Sequence, residues 1–265
     1  MCILKYLLFC CVICISCSHA SLHQKQLMHA LDFSAANSKE LEKVLKHYEH
    51  DSLKLEAAKF LIRNMPHCYS YQQGGEMDSV KRVRTYYSPF GQIDQTYARR
   101  WGHYTYRNLP KIYDAHIITA EYLIDNIDRA FDNWQKRPWN RSLSFEDFCE
   151  YLLPYRIGDE PLEEWRELYE KKYGYLLDSI YKGSDVVEAA NLVSRHLQEP
   201  VFIYCEDFEL PHIGPRYLFS HRYGSCVDAA DIVTYAFRAV GIPCMEDTDA
   251  RGGHVWNVVR DTTGR

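Results

Sequence analysis

Beyond its first twenty residues the chain contains no C-x-x-C pair and no H-E-x-x-H. Neither a zinc cage nor a zincin-type centre has ligands to build from, and no metal or organic cofactor is expected. Long Lys/Arg runs are also missing: Lys81-Arg82-Val83-Arg84 and Arg99-Arg100 are short, and the net charge is -5. Phosphate-backbone recognition needs a basic patch, so no nucleic-acid partner is expected. No repeat period and no low-complexity linker divides the chain. What remains is ordinary globular composition: 265 residues, 46% hydrophobic, with 21 tyrosines and five tryptophans. Such rings are expected half-buried in helix packing, the alternative being a sugar- or peptide-binding cleft.

No apolar run reaches bilayer-spanning length. Lys5 precedes Tyr6 to Ile15, which has the size of a secretion-signal h-region. Cys14-Ile15-Ser16-Cys17 has the form of a bacterial lipobox with Cys in the place usual for Leu, which makes Cys17 the expected lipidated residue. Ordinary cleavage after Ala20 is the alternative. Either way residues 1–20 are read as a leader and the chain as exported, to the periplasm or as an outer-membrane lipoprotein, touching membrane only through its anchor. Past the leader stand Cys68, Cys149, Cys205, Cys226 and Cys244; an odd number leaves at least one thiol unpaired or paired between chains.

Residues 21–198 read as mostly helical. Asn37 and Glu40 have capping-box spacing before Leu41, Val44, Leu45 and Tyr48. Leu55, Ala58, Leu61 and Ile62 form a second stripe stopped at Met65-Pro66, and residues 71–101 read as loops with short strands. Helices are then expected from Ile117 through Phe131, after a Ser144/Asp147 cap, from Leu162 to Tyr173 and from Val186 to Leu197. Val201-Phe202-Ile203-Tyr204 opens a strand-bearing region, 199–265, expected to be an α+β core.

The chemistry concentrates in that region. Ser225 and Asp228 have capping-box spacing, and the helix they open runs to Gly241 with Pro243 just beyond. Cys226 falls at the first helical position, where free amides and the helix dipole favour an anion and can hold an oxyanion. Gly224 is expected to let a substrate backbone approach. Arg251-Gly252-Gly253-His254 reads as a glycine entry into a strand. Period two puts His254, Trp256 and Val258 on one face and Val255, Asn257 and Val259 on the other. A strand beside the helix would let His254 act as base to a Cys226 nucleophile. The bland alternatives are a buried Cys, a satisfied core His, and a Trp256 that fills the core rather than shielding a site. Cys244 is expected in the core, Asp228 as a cap, and Glu246, Asp247 and Asp249 as a solvated loop.

Gly224-Ser225-Cys226-x-Asp228, then Ala236-Phe237-Arg238-Ala239-Val240-Gly241-Ile242-Pro243, then His254-Val255-Trp256-Asn257, resembles the transglutaminase-like superfamily over about residues 215–265. Tyr151-Leu152-Leu153-Pro154-Tyr155-Arg156 with Glu160-Pro161 resembles its exported bacterial members. The resemblance implies a papain-like core, one buried helix against an antiparallel sheet, with a Cys-His-Asp triad in that chain order. Cys226 would be nucleophile and His254 base. Asp261 stands where a triad acid is closest at hand, but Asp261-Thr262-Thr263-Gly264 is turn chemistry. The orienting acid is then expected beyond Arg265 and the core incomplete at its C-terminus. The implied activity is acyl transfer at a peptide amide through a thioester, most simply hydrolysis, on a peptide, protein or glycopeptide. The alternative is a catalytically inactive module that binds glycan or peptide at the cell surface.

Overall fold

The computed structural model describes residues 22–83, 96, 105–199, 201–204 and 210–261. The leader with Cys17 and Ala20, and Cys205, lie outside the described residues. The architecture is mixed α/β, dominated by helices, with three two-stranded sheets. No described helix is long and apolar enough to cross a membrane.

Packing divides the chain into one compact unit of residues 1–68 with 113–120, and a second of 69–112 with 121–265. Pro200 marks a change of local pattern, but the helices of 121–198 bury their apolar faces in the same unit as the strands that follow.

In the first unit, α1 (Ser38–His47) and α2 (Ser52–Asn64) bury Leu41, Val44, Ala57, Ala58, Leu61 and Ile62. Asp51 caps α2 by accepting the Lys54 N–H at 3.1 Å. The expected Asn37 cap of α1 is not made. The Asn37 amide donates instead to the carbonyls of Ala115 and Ile118 (3.0 and 2.9 Å), and Glu40 accepts from the Ala120 N–H. Tertiary partners outcompete the local cap.

The second unit begins with β1 (Tyr69–Tyr71), α3 (Gly75–Val83) and β2 (Lys111–Tyr113). A helix thus stands where loops and short strands were expected. Gly74 and Gly75, at φ 94° and 56°, turn the chain into it, and Met77 and Val80 anchor it. Then come α4 (Ala120–Lys136), α5 (Phe145–Tyr151), α6 (Arg166–Tyr175) and α7 (Val186–Leu197), followed by β3 (Ile203–Tyr204), α8 (Pro215–Ser220), β4 (Tyr223–Gly224), α9 (Cys226–Ala239), β5 (Cys244–Thr248) and β6 (Val255–Val259). Ser144 caps α5 through the Asp147 N–H.

Helix α9 is the hub: α6, α7, α8, β5 and β6 all pack on it. Ala230, Ile232, Tyr235, Ala236, Phe237 and Ala239 are buried, in a core shared with Trp139, Trp165, Tyr169 and Tyr173. The core tyrosines therefore serve packing. A 14-residue helix is marginal alone; full burial of a Phe or Leu is worth about 1.5–3 kcal/mol, so tertiary contact holds α9 in place. The helix ends in a Schellman turn, with Ile242 N–H to Phe237 O at 2.9 Å and Gly241 N–H to Arg238 O at 3.4 Å. Gly241 sits at φ 81°, and a Cβ there would lie 2.8 Å from both the Arg137 Cγ and the Asn133 carbonyl. After this stop β5 and β6 form an antiparallel hairpin, Cys244 opposite Val259 and Glu246 opposite Asn257. The strand over Val255–Val259 thus takes its partner from the residues that precede it.

Candidate functional site

The start of α9 is built as its spacing implies. The Asp228 carboxylate accepts the Ser225 N–H at 2.8 Å and the Ser225 hydroxyl at 3.2 Å, which leaves Cys226 as the first helical residue. The Cys226 thiol is free and half-buried. Gly224 needs its missing side chain for a different reason from the expected one. A Cβ there would lie 2.3 Å from the Asp228 Oδ2. The group that approaches closely is the capping carboxylate, and Gly224 is buried beneath it rather than open to a substrate.

The hairpin lies along α9. The Arg238 Nε donates to the Cys244 carbonyl at 3.0 Å, and Thr234 Oγ1 donates to Glu246 Oε1 at 3.1 Å. β5 therefore runs back toward the helix start, and β6 returns. The Asn257 amide clamps β6 to the helix, donating to the Ala230 carbonyl (3.0 Å) and to Thr234 Oγ1 (2.8 Å). Three residues of strand cover about 10 Å, the rise of roughly six to seven helical residues. Counted back from Asn257, His254 falls at the axial level of Cys226.

The structure brings the two residues to one end of α9 without joining them. Asn257 faces the helix, so by alternation His254 and Trp256 face away. His254 is exposed and its ring meets Trp256 at 6.2 Å. Trp256 is 39% exposed and fills no core. Among the described residues the Cys226 sulfur and the His254 ring share no hydrogen bond. Asp261 follows β6 at its other end, roughly 20 Å of extended chain from His254. His221, near in sequence, is occupied by its own helix: it bonds the Tyr217 carbonyl and stacks on that ring.

One constellation was not legible beforehand. His212 Nδ1 lies 2.9 and 3.0 Å from the two oxygens of Asp231, a fully buried residue of α9. The His212 N–H donates to Asp159 Oδ1, and the ring lies so close over Gly158 that a Cβ there would be 2.3 Å away. Glu246 faces the same group and is inward, not in a solvated loop. Burial opposes charge on His212, but the Asp231 carboxylate outweighs it and holds the imidazole protonated up to about 10. Burial and the neighbouring Asp231 push Glu246 up to about 9, and burial raises Asp231 despite His212. The signal available in the sequence was Asp231 itself, a carboxylate between Ala230 and Ile232 in an otherwise apolar helix, which needs a buried partner. Cys244 is buried as expected, and desolvation pushes its thiol to about 12, out of reach of nucleophilic use.

No family model matches the chain, and no curated protein or solved structure is significantly similar to it. Its chemistry is therefore read from its own residues. Among the described residues no group of His, Cys, Asp and Glu has the arrangement to hold a metal ion.

The buried cluster sets a pH dependence. Its groups hold protons more tightly folded than unfolded, so the native state carries excess protons between about 4.5 and about 10. Stability is fully present below the unfolded values and falls as pH rises through that window. Glu246→Gln is expected to flatten the fall between pH 4.5 and 9, measured by urea unfolding at several pH values; an unaltered slope would contradict the assignment.

Proposed function

We propose that the chain is an exported cysteine-nucleophile enzyme of the transglutaminase-like kind, acting on a peptide amide. The Cys226 sulfur adds to the amide carbonyl and the developing oxyanion meets the free N–H groups at the start of α9. His254 protonates the leaving amine, and water resolves the thioester. The supporting observation is a free, half-buried thiol at the first position of a capped helix, with an exposed imidazole just ahead of the strand that Asn257 clamps to that helix. The antiparallel hairpin on a buried helix suits a papain-like core. Gly252 and Gly253 precede His254 and give it room to turn, and catalytic hydrogen bonds often tighten only around substrate.

Iodoacetamide at neutral pH is expected to label Cys226 ahead of the buried Cys149 and Cys244. Mass spectrometry after incubation with a peptide pool is expected to find an acyl adduct on Cys226 that is absent from Cys226→Ala. Amide cleavage that survives in Cys226→Ala refutes the reading. The second reading, a binding module, is favoured by the outward Trp256 beside His254. Glycan or peptide retention that persists in Cys226→Ala and is lost in Trp256→Ala would support it.

A further inference from the structure

Behind the far end of α9 lies an open cavity of about 430 Å³ walled by Lys136, Arg137, Trp139, Asp178, Tyr181 and Lys182. It is independent of the Cys226 region. We propose that this cavity binds a phosphate monoester carrying a flat ring.

The charge pattern carries the inference. Lys136 and Arg137 both reach Asp178 at 2.7 Å, and the Lys182 ammonium donates to the Asp178 main-chain carbonyl. The carboxylate faces two cations, and the wall as a whole carries three cations to one acid, an excess of two positive charges that a phosphate monoester dianion balances. Burial opposes ionisation of Asp178, yet the hydrogen bonds from Lys136 and Arg137 keep it below the usual carboxylate range, so the single negative charge is already present at neutral pH. Arg137 is held rigidly: its side chain is 4% exposed and its Nε donates to the Val240 carbonyl at 2.8 Å. With Nε and Nη1 engaged, the Nη2 edge has no partner among the described residues. A fixed guanidinium edge flanked by two ammonium groups is suited to a multi-oxygen anion.

The remaining walls suit a ring. Trp139 and Tyr181 stand 6.2 Å apart at a 46° tilt, and both polar tips are used elsewhere. The Trp139 N–H donates to Gly241 O and the Tyr181 hydroxyl to the Asp185 carbonyl and Glu188. Trp139 is buried in the core, so the half-buried Tyr181 ring is the one left for a ligand ring to meet. The floor is a single π-helical turn, Leu176–Ile180, a local widening that often accompanies functional sites. The volume is in the range of small-molecule pockets.

Titration calorimetry of the full chain with phenyl phosphate tests this. Saturable binding is expected, falling with salt and below about pH 6, where the monoester loses its second charge. Lys136→Gln and Lys182→Gln, both at exposed positions, are each expected to weaken it roughly tenfold, about 1.4 kcal/mol. Asp178→Asn is expected to tighten it by removing the competing charge, a gain that a purely structural ion pair would not give. Inorganic phosphate is expected to bind more weakly for lack of a ring, and phenol not at all. Absence of saturable binding, equal affinity in the lysine double variant, or equal affinity for inorganic phosphate would overturn the proposal.

Discussion

Replacing Asp231 with alanine is expected to destabilise the chain by about 3–5 kcal/mol at pH 6, and by clearly less at pH 9, as read by urea unfolding. Asp231 is completely buried and both its oxygens lie on His212 Nδ1. Removing the carboxylate leaves an imidazolium inside the protein without its counter-charge. A raised folded value means that the stabilisation is complete below 6.5 and is lost as pH climbs toward 10. At pH 9 most of it has already gone, so there is less for the substitution to remove. Glu246 is a nearby group able to take over as counter-ion, beside Asp159 and Glu160, because without Asp231 its own ionisation becomes easier. The Asp231→Ala, Glu246→Gln double variant is therefore expected to be worse at pH 6 than Asp231→Ala alone. A cost under about 1 kcal/mol at pH 6 would show that the buried pair is not the source of the pH dependence.

Arg166→Met is the second large effect, expected at about 3–5 kcal/mol. The Arg166 guanidinium is buried and meets no carboxylate. Its Nε bonds Asn126 Oδ1 at 2.5 Å, Nη1 the Arg238 carbonyl at 3.2 Å, and Nη2 the carbonyls of Leu152, Leu153 and Pro154 at 2.6, 3.0 and 3.1 Å. It thereby ties the end of α5 and the chain after it to α4 and α9. Burial, and after it the nearby Arg238 charge, weakens its hold on the proton. Loss of Arg166 relieves that repulsion but strands the Leu152 and Pro154 carbonyls and the Asn126 Oδ1, while Leu153 keeps the Asn126 amide, and the stranded acceptors are the larger quantity. Arg166→Lys is expected to recover little, because one ammonium cannot reproduce the planar fork. Thermal unfolding of the two variants measures the difference; near-wild-type stability of Arg166→Met would mean that water reaches those carbonyls.

The sequence was informative wherever one segment carried both its start and its stop. Helix α9 shows this best: Ser225, Asp228, Gly241 and Pro243 mark its ends, and the structure runs from Cys226 to Ala239. The alternation of β6 was legible too, but not which face met the helix. That choice is made by Asn257, whose amide finds Ala230 and Thr234 across the packing interface, and it turns His254 outward. His212 was missed because its significance lies nineteen residues away on α9. Glu246 was misplaced because a run of acidic residues reads as solvated, whereas alternation in a two-stranded hairpin sends every second one inside. The α3 helix was missed because glycines that mark loops also mark a helix entry when they adopt positive φ.

The candidate thiol rides on the helix that α6, α7, α8, β4, β5 and β6 all grip. Held this way, the interior amides of α9 are expected to exchange slowly, whereas those of its first turn stay free. Cys226 thus sits on a helix anchored along its length, and a lesion in the elements packed on α9 is felt as a looser seat for its sulfur.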